Sequence, residues 1–234
     1  MEEKEIYNII VAAGKGSRFG TELPKQFCLL NNRPVLIHTI ERMRKALPQS
    51  NIIVVISKDF NDIWQNLCHI HNFISPTVIH GGNTRWQSVK NALDFIGPLI
   101  TDKSIITIHD GARPTITTEL VKRVINGLQF SSGAIPVTPV TDSLRMSMPD
   151  GTSVPVDRAI YKAVQTPQAF NAVKLLHAYS FPYCDNFTDD ASVMAAAGYS
   201  DISLIEGDSR NIKITLPHDI EIASIYFREN EPAT

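Results

Sequence analysis

Short β-branched runs alternating with amphipathic stretches constrain this chain more than any other feature. Ile6 to Ala12, Asn51 to Ser57, Thr77 to His80, Ile105 to His109 and Ala134 to Val137 are apolar and brief, and they predict strands. Between them, Pro34 to Leu47, Asp59 to His71, Thr84 to Ile96 and Thr118 to Phe130 predict helices. In the first of these, Val35, Leu36, Thr39, Ile40, Met43 and Leu47 form a stripe at three- and four-residue spacing. Pro34 suits the first turn, where its missing N–H costs nothing. Strands that lack polar alternation and take turns with helices imply a mainly parallel sheet covered on both faces. The length of 234 residues fits one α/β domain or one with an appendage, and 43% hydrophobic residues are enough to fill its core.

The rhythm breaks between Pro139 and Ala163. This stretch is polar, carries a Pro-Asp-Gly turn at Pro149 to Gly151 and has no helical period, so a protruding hairpin is expected rather than a plain loop. Helices resume at Asn171 to Ser180 and at Thr188 to Ala197. The second is expected to start on a Thr188 cap with two acidic residues behind it and to stop before Gly198. A last strand pair around Ile202 to Thr215 should lead into a helix opened by Pro217.

Charge excludes some partners. The net charge is −2, from 22 basic and 24 acidic residues, which argues against a general nucleic-acid or membrane-surface binder but leaves room for a local basic pocket. Cys28, Cys68 and Cys184 are odd in number and far apart, so reduced thiols are expected rather than disulfides or a zinc ribbon. The acidic start runs straight into a strand, and no apolar run approaches about 20 residues. A cytoplasmic protein is expected, with no fused second enzyme after the last helix. His69 and His71 lack acidic or Cys partners at ligand spacing, and Trp64 and Trp86 are read as packing residues.

The first strand runs into Ala12-Ala13-Gly14-Lys15-Gly16-Ser17-Arg18, followed by Leu23-Pro24-Lys25-Gln26. Small residues at the carboxyl end of a parallel strand let backbone N–H groups approach a phosphate chain, and Arg18 and Lys25 add two fixed cations. This is not the P-loop, which needs G-x-x-x-x-G-K-[ST]. Nor is it the dinucleotide fingerprint, because Phe19 stands where the third Gly should be.

The loop together with Leu-Pro-Lys-Gln resembles the start of nucleotidyltransferases that make CDP-, GDP- or UDP-linked metabolites. Further motifs narrow the resemblance to methylerythritol-phosphate cytidylyltransferases. They are Gly81-Gly82-Asn83-Thr84-Arg85 with Ser88, His109 to Pro114, Pro139 to Ser143, Val156-Asp157-Arg158, Gln165 to Gln168, Thr188 to Ser192 and Asn211 to Thr215, all in family order. The resemblance implies a doubly wound, mostly parallel, Rossmann-like sheet with a β-arm at 139–163 that joins a homodimer. It implies CMP transfer from CTP to 2-C-methyl-D-erythritol 4-phosphate, with pyrophosphate released and a divalent ion, Mg²⁺, on the triphosphate.

It also implies roles residue by residue. Ala12, Ala13, Gly14 and Gly16 would line the CTP site, with Arg18 and Lys25 on its phosphates. Gly82, Asn83, Arg85 and Ser88 would read and support cytosine. Asp110, Ala112 and Arg113 would sit where nucleotide and substrate meet. Ser143, Arg158, Thr166, Thr188 and Lys213 would hold the polyol phosphate, with Lys213 also near the reacting phosphate. Arg18, Lys25, Lys213 and Asp110 are the catalytic candidates. Asp110 is expected to orient a substrate hydroxyl or to touch the metal through water.

The chain departs from the family's common pattern at Asn83, Gly111, Ser143 and Asp190, without losing a charge that the chemistry needs. Two rivals stand beside this reading. One is a ribitol 5-phosphate cytidylyltransferase, disfavoured by Val156-Asp157-Arg158 and Thr188 to Ser192. The other is a non-catalytic nucleotide sensor, disfavoured by the full set of Arg18, Lys25, Asp110 and Lys213.

Overall fold

The computed structural model describes residues 5–14, 19 and 23–229. Strand β1 (Ile6–Ala12) leads to the short pair β2 (Leu29–Leu30) and β3 (Arg33–Pro34). Then come α1 (Val35–Ala46), β4 (Asn51–Ile56), α2 (Asn61–Ile70), β5 (Thr77–His80), α3 (Arg85–Ile96), β6 (Ile105–Asp110) and α4 (Thr118–Asn126). The second half holds β7 (Gly133–Pro139), β8 (Leu144–Ser147), β9 (Ser153–Val156), β10 (Lys162–Val164) and β11 (Gln168–Asn171). It ends with α5 (Ala172–Ala178), α6 (Asp190–Ala196), β12 (Ile202–Glu206) and α7 (Asp219–Glu229).

Hydrogen-bonded neighbours in the main sheet run β5–β4–β1–β6–β11–β7. β1 is parallel to both β4 and β6, with Ile9 opposite Ile53 on one side and Ile108 on the other. The chain moves outward from β1 through β4 to β5 and then returns to β6 on β1's other edge. That reversal opens a crevice at the carboxyl ends of β1 and β6, the place where open α/β sheets bind ligands. Beyond β6 the sheet changes character. β11 is antiparallel to β6 and β7, β10 is antiparallel to the far end of β7, and β12 runs parallel along β7.

Side chains alternate across the strands, so Ile9 and Ile10 enter different cores. Ile9, Val55, Ile106 and Phe170 pack against Val89 and Leu93 of α3, Leu175 of α5 and Met194 of α6. Ile10, Val54 and Ala169 pack against Ile40 and Met43 of α1, Trp64 of α2 and Val124 of α4. A third cluster fixes the C-terminal segment, with Ile214, Ala223 and Phe227 against Leu30, Val35 and Ala112.

The segment 139–163 contains the expected hairpin. β8 and β9 pair antiparallel from Leu144–Val156 to Ser147–Ser153, and Gly151 takes φ +83°, a conformation open to glycine without Cβ strain. Three expectations change. The cap of α6 is Asp189 rather than Thr188: its carboxylate accepts from Ser192 N at 2.9 Å, and its own N–H donates to Ser192 Oγ at 3.2 Å, a reciprocal capping box. The strand pair proposed for 202–215 is β12 alone. After Gly207 the chain turns on Asp208, which accepts from Arg210 N, and the following run leaves the sheet. The last helix starts at Asp219, two residues past Pro217, where the Asp219 carboxylate accepts from Thr215 N and Leu216 N.

Candidate active site

The crevice is a cleft of about 620 Å³ lined by Ala12, Ala13, Gly14, Lys25, Gly82, Asn83, Arg85, Ser88, Asp110, Ala112 and Lys213 among others. Residues far apart in sequence meet here because six chain segments converge. They are the end of β1, the turn at Lys25, the end of β6 and the loop from β5 into α3, joined by Ser57–Asp59 after β4 and by Lys213 of the C-terminal run. Gly16 and Arg18 lie outside the described residues.

Gln26 pins the β1 loop: its amide Nε2 donates to Ala12 O at 2.7 Å and to Gly14 O at 2.9 Å. Gln26, the last residue of the Pro-Lys-Gln motif, thus has a role that its position beside Lys25 does not announce. Lys25 beside it opens a 3₁₀ turn whose other two residues, Gln26 and Phe27, are buried. Two buried anchors thus hold a lysine at the cleft wall. The second wall is stitched in the same local way. Thr84 caps α3 by accepting from Gln87 N at 3.0 Å, while Ser88 Oγ accepts from Gly82 N at 3.2 Å and donates to Thr84 O at 2.9 Å. Ser88 is therefore placed to shape the Gly81–Asn83 loop.

The turn after β6 is drawn tight against β1. Gly111 N donates to Val11 O at 2.8 Å, and Thr39 of α1 donates to Gly111 O at 3.0 Å. A Cβ at Gly111 would meet Ala12 Cβ at 2.9 Å and Leu36 Cδ1 at 3.0 Å, so glycine suits the close approach here. The departure at this position is thus a matter of packing as well as backbone rigidity.

Asp110, only 7% exposed, gathers three cations from three segments. Lys213 Nζ lies 2.9 Å from Oδ2, Arg113 Nε 3.3 Å from Oδ2, and Arg85 Nε 3.8 Å from Oδ1. Burial by itself would raise the Asp110 carboxyl, but Lys213, Arg85 and Arg113 win and hold it well below the usual carboxylate range. Lys213 reaches this point because Ile214 N donates to Ala112 O at 2.8 Å, docking the C-terminal run beside β6. Arg113 is braced further by donating to Asn211 O at 2.8 Å. Arg85 is paired with Asp190, to whose Oδ1 and Oδ2 it donates at 2.9 and 2.6 Å.

His109, fully buried, braces the turn that carries Asp110 through Arg113 and Thr166. Its Nε2 faces Arg113 O at 3.3 Å, an acceptor, so Nε2 carries the proton and Nδ1 accepts. Thr166 Oγ1 then donates to Nδ1 at 2.9 Å and accepts from Asp110 N at 3.0 Å. The Thr166 hydroxyl thus ties the approach to β11 to the end of β6, and Thr166 does not line this cleft.

Burial lowers the His109 imidazole to about 4, with Asp110 opposing the shift. Below its free value of about 6.5 the unfolded chain takes up a proton that the native imidazole refuses. Stability should therefore fall as pH drops from 6.5 towards 4, by about 2 kcal/mol at pH 5. Urea midpoints at pH 7 and pH 5 measure it, and His109→Gln should flatten this part of the slope. Asp110 does not contribute there, because stability from a depressed carboxyl is lost only below its unfolded value of about 3.9. An unchanged slope in His109→Gln would remove His109 from this role.

The remaining candidates lie elsewhere. Ser143 and Arg158 are exposed on the arm, and Thr188 is exposed before α6. None of the three lines the cleft of its own chain. A second groove of about 1040 Å³ lies at the root of the arm between Thr138–Asp142, Arg113, Gln165, Asp208 and Asn211, and Lys213 belongs to both spaces. Among the described residues no group of three His, Cys, Asp or Glu side chains could hold a metal, and no helix is long and apolar enough to cross a membrane. Trp64 is a packing residue, donating to Ser75 Oγ at 2.9 Å, and Trp86 stacks on Tyr179.

A model of the 2-C-methyl-D-erythritol 4-phosphate cytidylyltransferase family matches residues 6–229. A protein of that description from Bacteroides thetaiotaomicron is 42% identical over 92% of this chain and 96% of its own. One from Porphyromonas gingivalis is 39% identical over 96% and 98%. The crystal structure of 4-diphosphocytidyl-2C-methyl-D-erythritol synthase from Anaerococcus prevotii superposes with a TM-score of 0.79 at 26% identity, covering 96% of each chain. The Thermus thermophilus 2-C-methyl-D-erythritol 4-phosphate cytidylyltransferase gives 0.72 at 28% identity, covering 96% of this chain and 99% of its own.

Proposed function

The chain belongs to the 2-C-methyl-D-erythritol 4-phosphate cytidylyltransferase family, and from its site we infer how it performs that reaction. The enzyme transfers CMP from CTP to 2-C-methyl-D-erythritol 4-phosphate, a step of isoprenoid precursor synthesis. A phosphate-monoester oxygen attacks the α-phosphorus, a new P–O–P bond forms, and the bond to the leaving pyrophosphate breaks. Two anions must meet, so the protein's task is positioning and charge stabilisation. The observation that carries the reading is one cleft at the carboxyl ends of β1 and β6 that holds Lys25 together with Asp110 and its partners Lys213 and Arg85.

In this reading Gly14 and its neighbours approach the triphosphate, while Lys25 and Lys213 offset charge on the reacting phosphate. The Gly82–Ser88 segment faces the base. Lys213, shared by cleft and arm-root groove, stands where nucleotide and polyol phosphate would meet. Asp110 keeps Lys213 in place. A divalent cation would be held chiefly by the triphosphate oxygens, with Asp110 and Asp59 the carboxylates among the cleft residues. That ion would neutralise phosphate charge and favour pyrophosphate departure. The protein is proposed to work in the cytoplasm.

A homodimer through 139–163 completes the proposal. The hairpin exposes Met146, Met148 and Val154, and Ile160, Tyr161 and Val164 follow it. A two-stranded hairpin is marginal alone, and a second copy would cover these apolar side chains. Pyrophosphate release and product mass test the function, with CTP or UTP and with methylerythritol phosphate or ribitol 5-phosphate. Methylerythritol phosphate with CTP should react fastest, and UTP should fall by about 10²-fold or more in kcat/KM, because O4 replaces the N4 donor. Faster reaction with ribitol 5-phosphate would change the substrate, and no pyrophosphate would leave the sensor reading.

A further inference from the structure

We propose that Asp190 is a positioning residue for cytidylyl transfer, acting on the cleft through Arg85. This rests on the transferase reading above and adds a residue to which the sequence analysis gave no role. Asp190 has no exposed surface. A carboxylate in that position is costly unless fully partnered, and three donors partner it. Arg85 binds both oxygens through Nη1 and Nη2, and Tyr179 Oη donates to Oδ1 at 2.6 Å. The start of α6, on which Asp190 sits, is itself held by buried Gln168, which donates to Asp189 Oδ2 at 2.8 Å and accepts from Ala191 N at 3.1 Å. Trp86, next to Arg85, stacks on Tyr179 with ring centroids 5.6 Å apart. Both ends of the pair are therefore fixed to packed elements.

The geometry points to a division of charges. Arg85 lines the cleft, and its remaining nitrogen, Nε, stands 3.8 Å from Asp110 Oδ1, while Asp110 Oδ2 faces Lys213 at 2.9 Å. Without Asp190, the long and flexible Arg85 side chain would still face the Asp110 carboxylate. Closing that gap would compete with Lys213 for the same group. The two-point planar pairing holds Arg85 at 3.8 Å from Oδ1 and leaves Oδ2 to Lys213 and Arg113. A displaced Arg85 would disturb the Asp110–Lys213 pair, so its loss of position should alter the reaction step more than nucleotide binding.

Asp190→Asn, Asp190→Glu, Arg85→Lys, Arg85→Ala and the double variant Arg85→Ala with Asp190→Asn would be compared in steady-state kinetics, CTP calorimetry and thermal melts. Asp190→Asn should lower kcat by about 10- to 100-fold with CTP affinity within about threefold, and Asp190→Glu should recover part of the loss. In the Arg85→Ala background, Asp190→Asn should cost less than about twofold more. Independent, multiplying losses in that background would overturn the proposal. So would an Asp190→Asn variant whose melting temperature falls while kcat is kept. Arg85→Lys leaves Asp190 a charged partner but no planar fork, and it covers the case in which Asp190→Asn does not fold. It should lose nearly as much kcat as Arg85→Ala, whereas wild-type kcat in Arg85→Lys would overturn the proposal. Wild-type turnover in the same assay tests the transferase reading separately, and Asp190 loses its role if that turnover is absent.

Discussion

Lys25→Ala is expected to lower turnover by about 10²–10³ and to leave the fold intact, the usual effect of deleting one donor that stabilises developing charge. The fold should survive because the neighbours of Lys25 carry the local structure. Phe27 is buried among α1 and α2 residues, and Gln26 keeps its two bonds to Ala12 O and Gly14 O. What is lost is one of the cations that line the cleft with Asp110 and Lys213. Single-turnover rates at saturating CTP are the measurement, with a thermal melt beside them. A variant within a few-fold of wild type would take Lys25 out of the mechanism.

If the proposed homodimer forms, mixing Arg158→Ala subunits with Lys25→Ala subunits should restore about a quarter of wild-type activity, although each variant alone should be nearly inactive. Arg158 sits in a short turn after β9, capped by Asp157, which accepts from Ala159 N at 2.9 Å, and it donates to the backbone of Thr141. It is exposed and does not line the cleft of its own chain. An exposed Arg on an arm is suited to completing the neighbour's phosphate site, since its planar fork matches a phosphate. In an equal mixture half the dimers pair unlike chains. In each of these, the site on the Arg158→Ala chain keeps its own Lys25 and borrows Arg158. One good site in half the dimers gives the quarter. If Arg158 served its own chain, every site would lack one residue. Absence of recovery, with subunit exchange verified by mass spectrometry, would rule out the arrangement in trans.

Much of the fold was legible because its signals are local. The stripe of Val35, Leu36, Ile40 and Met43 became α1, and Thr84 caps a helix ending at Ile96, where the periodicity placed its end. The Pro-Asp-Gly turn became the tip of the β8–β9 hairpin. Where local signals competed, the reading slipped. Thr188 and Asp189 are both good caps; Asp189 closes the box with Ser192, and Gln168 of β11 holds its other oxygen. The apolar residues of 211–215 looked like a strand, but Ile214 is buried in the small α7 cluster rather than paired in the sheet.

The sequence by itself determined which chemistry the chain can host. The small-residue loop with Lys25, the Gly81–Ser88 segment, the acidic end of β6 and Lys213 are all present in the linear string, as residue types suited to phosphates and a base. The tertiary structure alone decided how they act on one another. Arg85 and Asp190 are 105 residues apart, and their pairing depends on α3 and α6 covering the same face of the sheet. Lys213 meets Asp110 only because Ile214 docks on Ala112. Thr166 bonds inward to His109 and Asp110 because β11 runs antiparallel to β6. Helix periods and caps are set within a few residues, so they can be read along the chain. A charge does not specify its partner, and a distant pair exists only after the topology has brought both ends together.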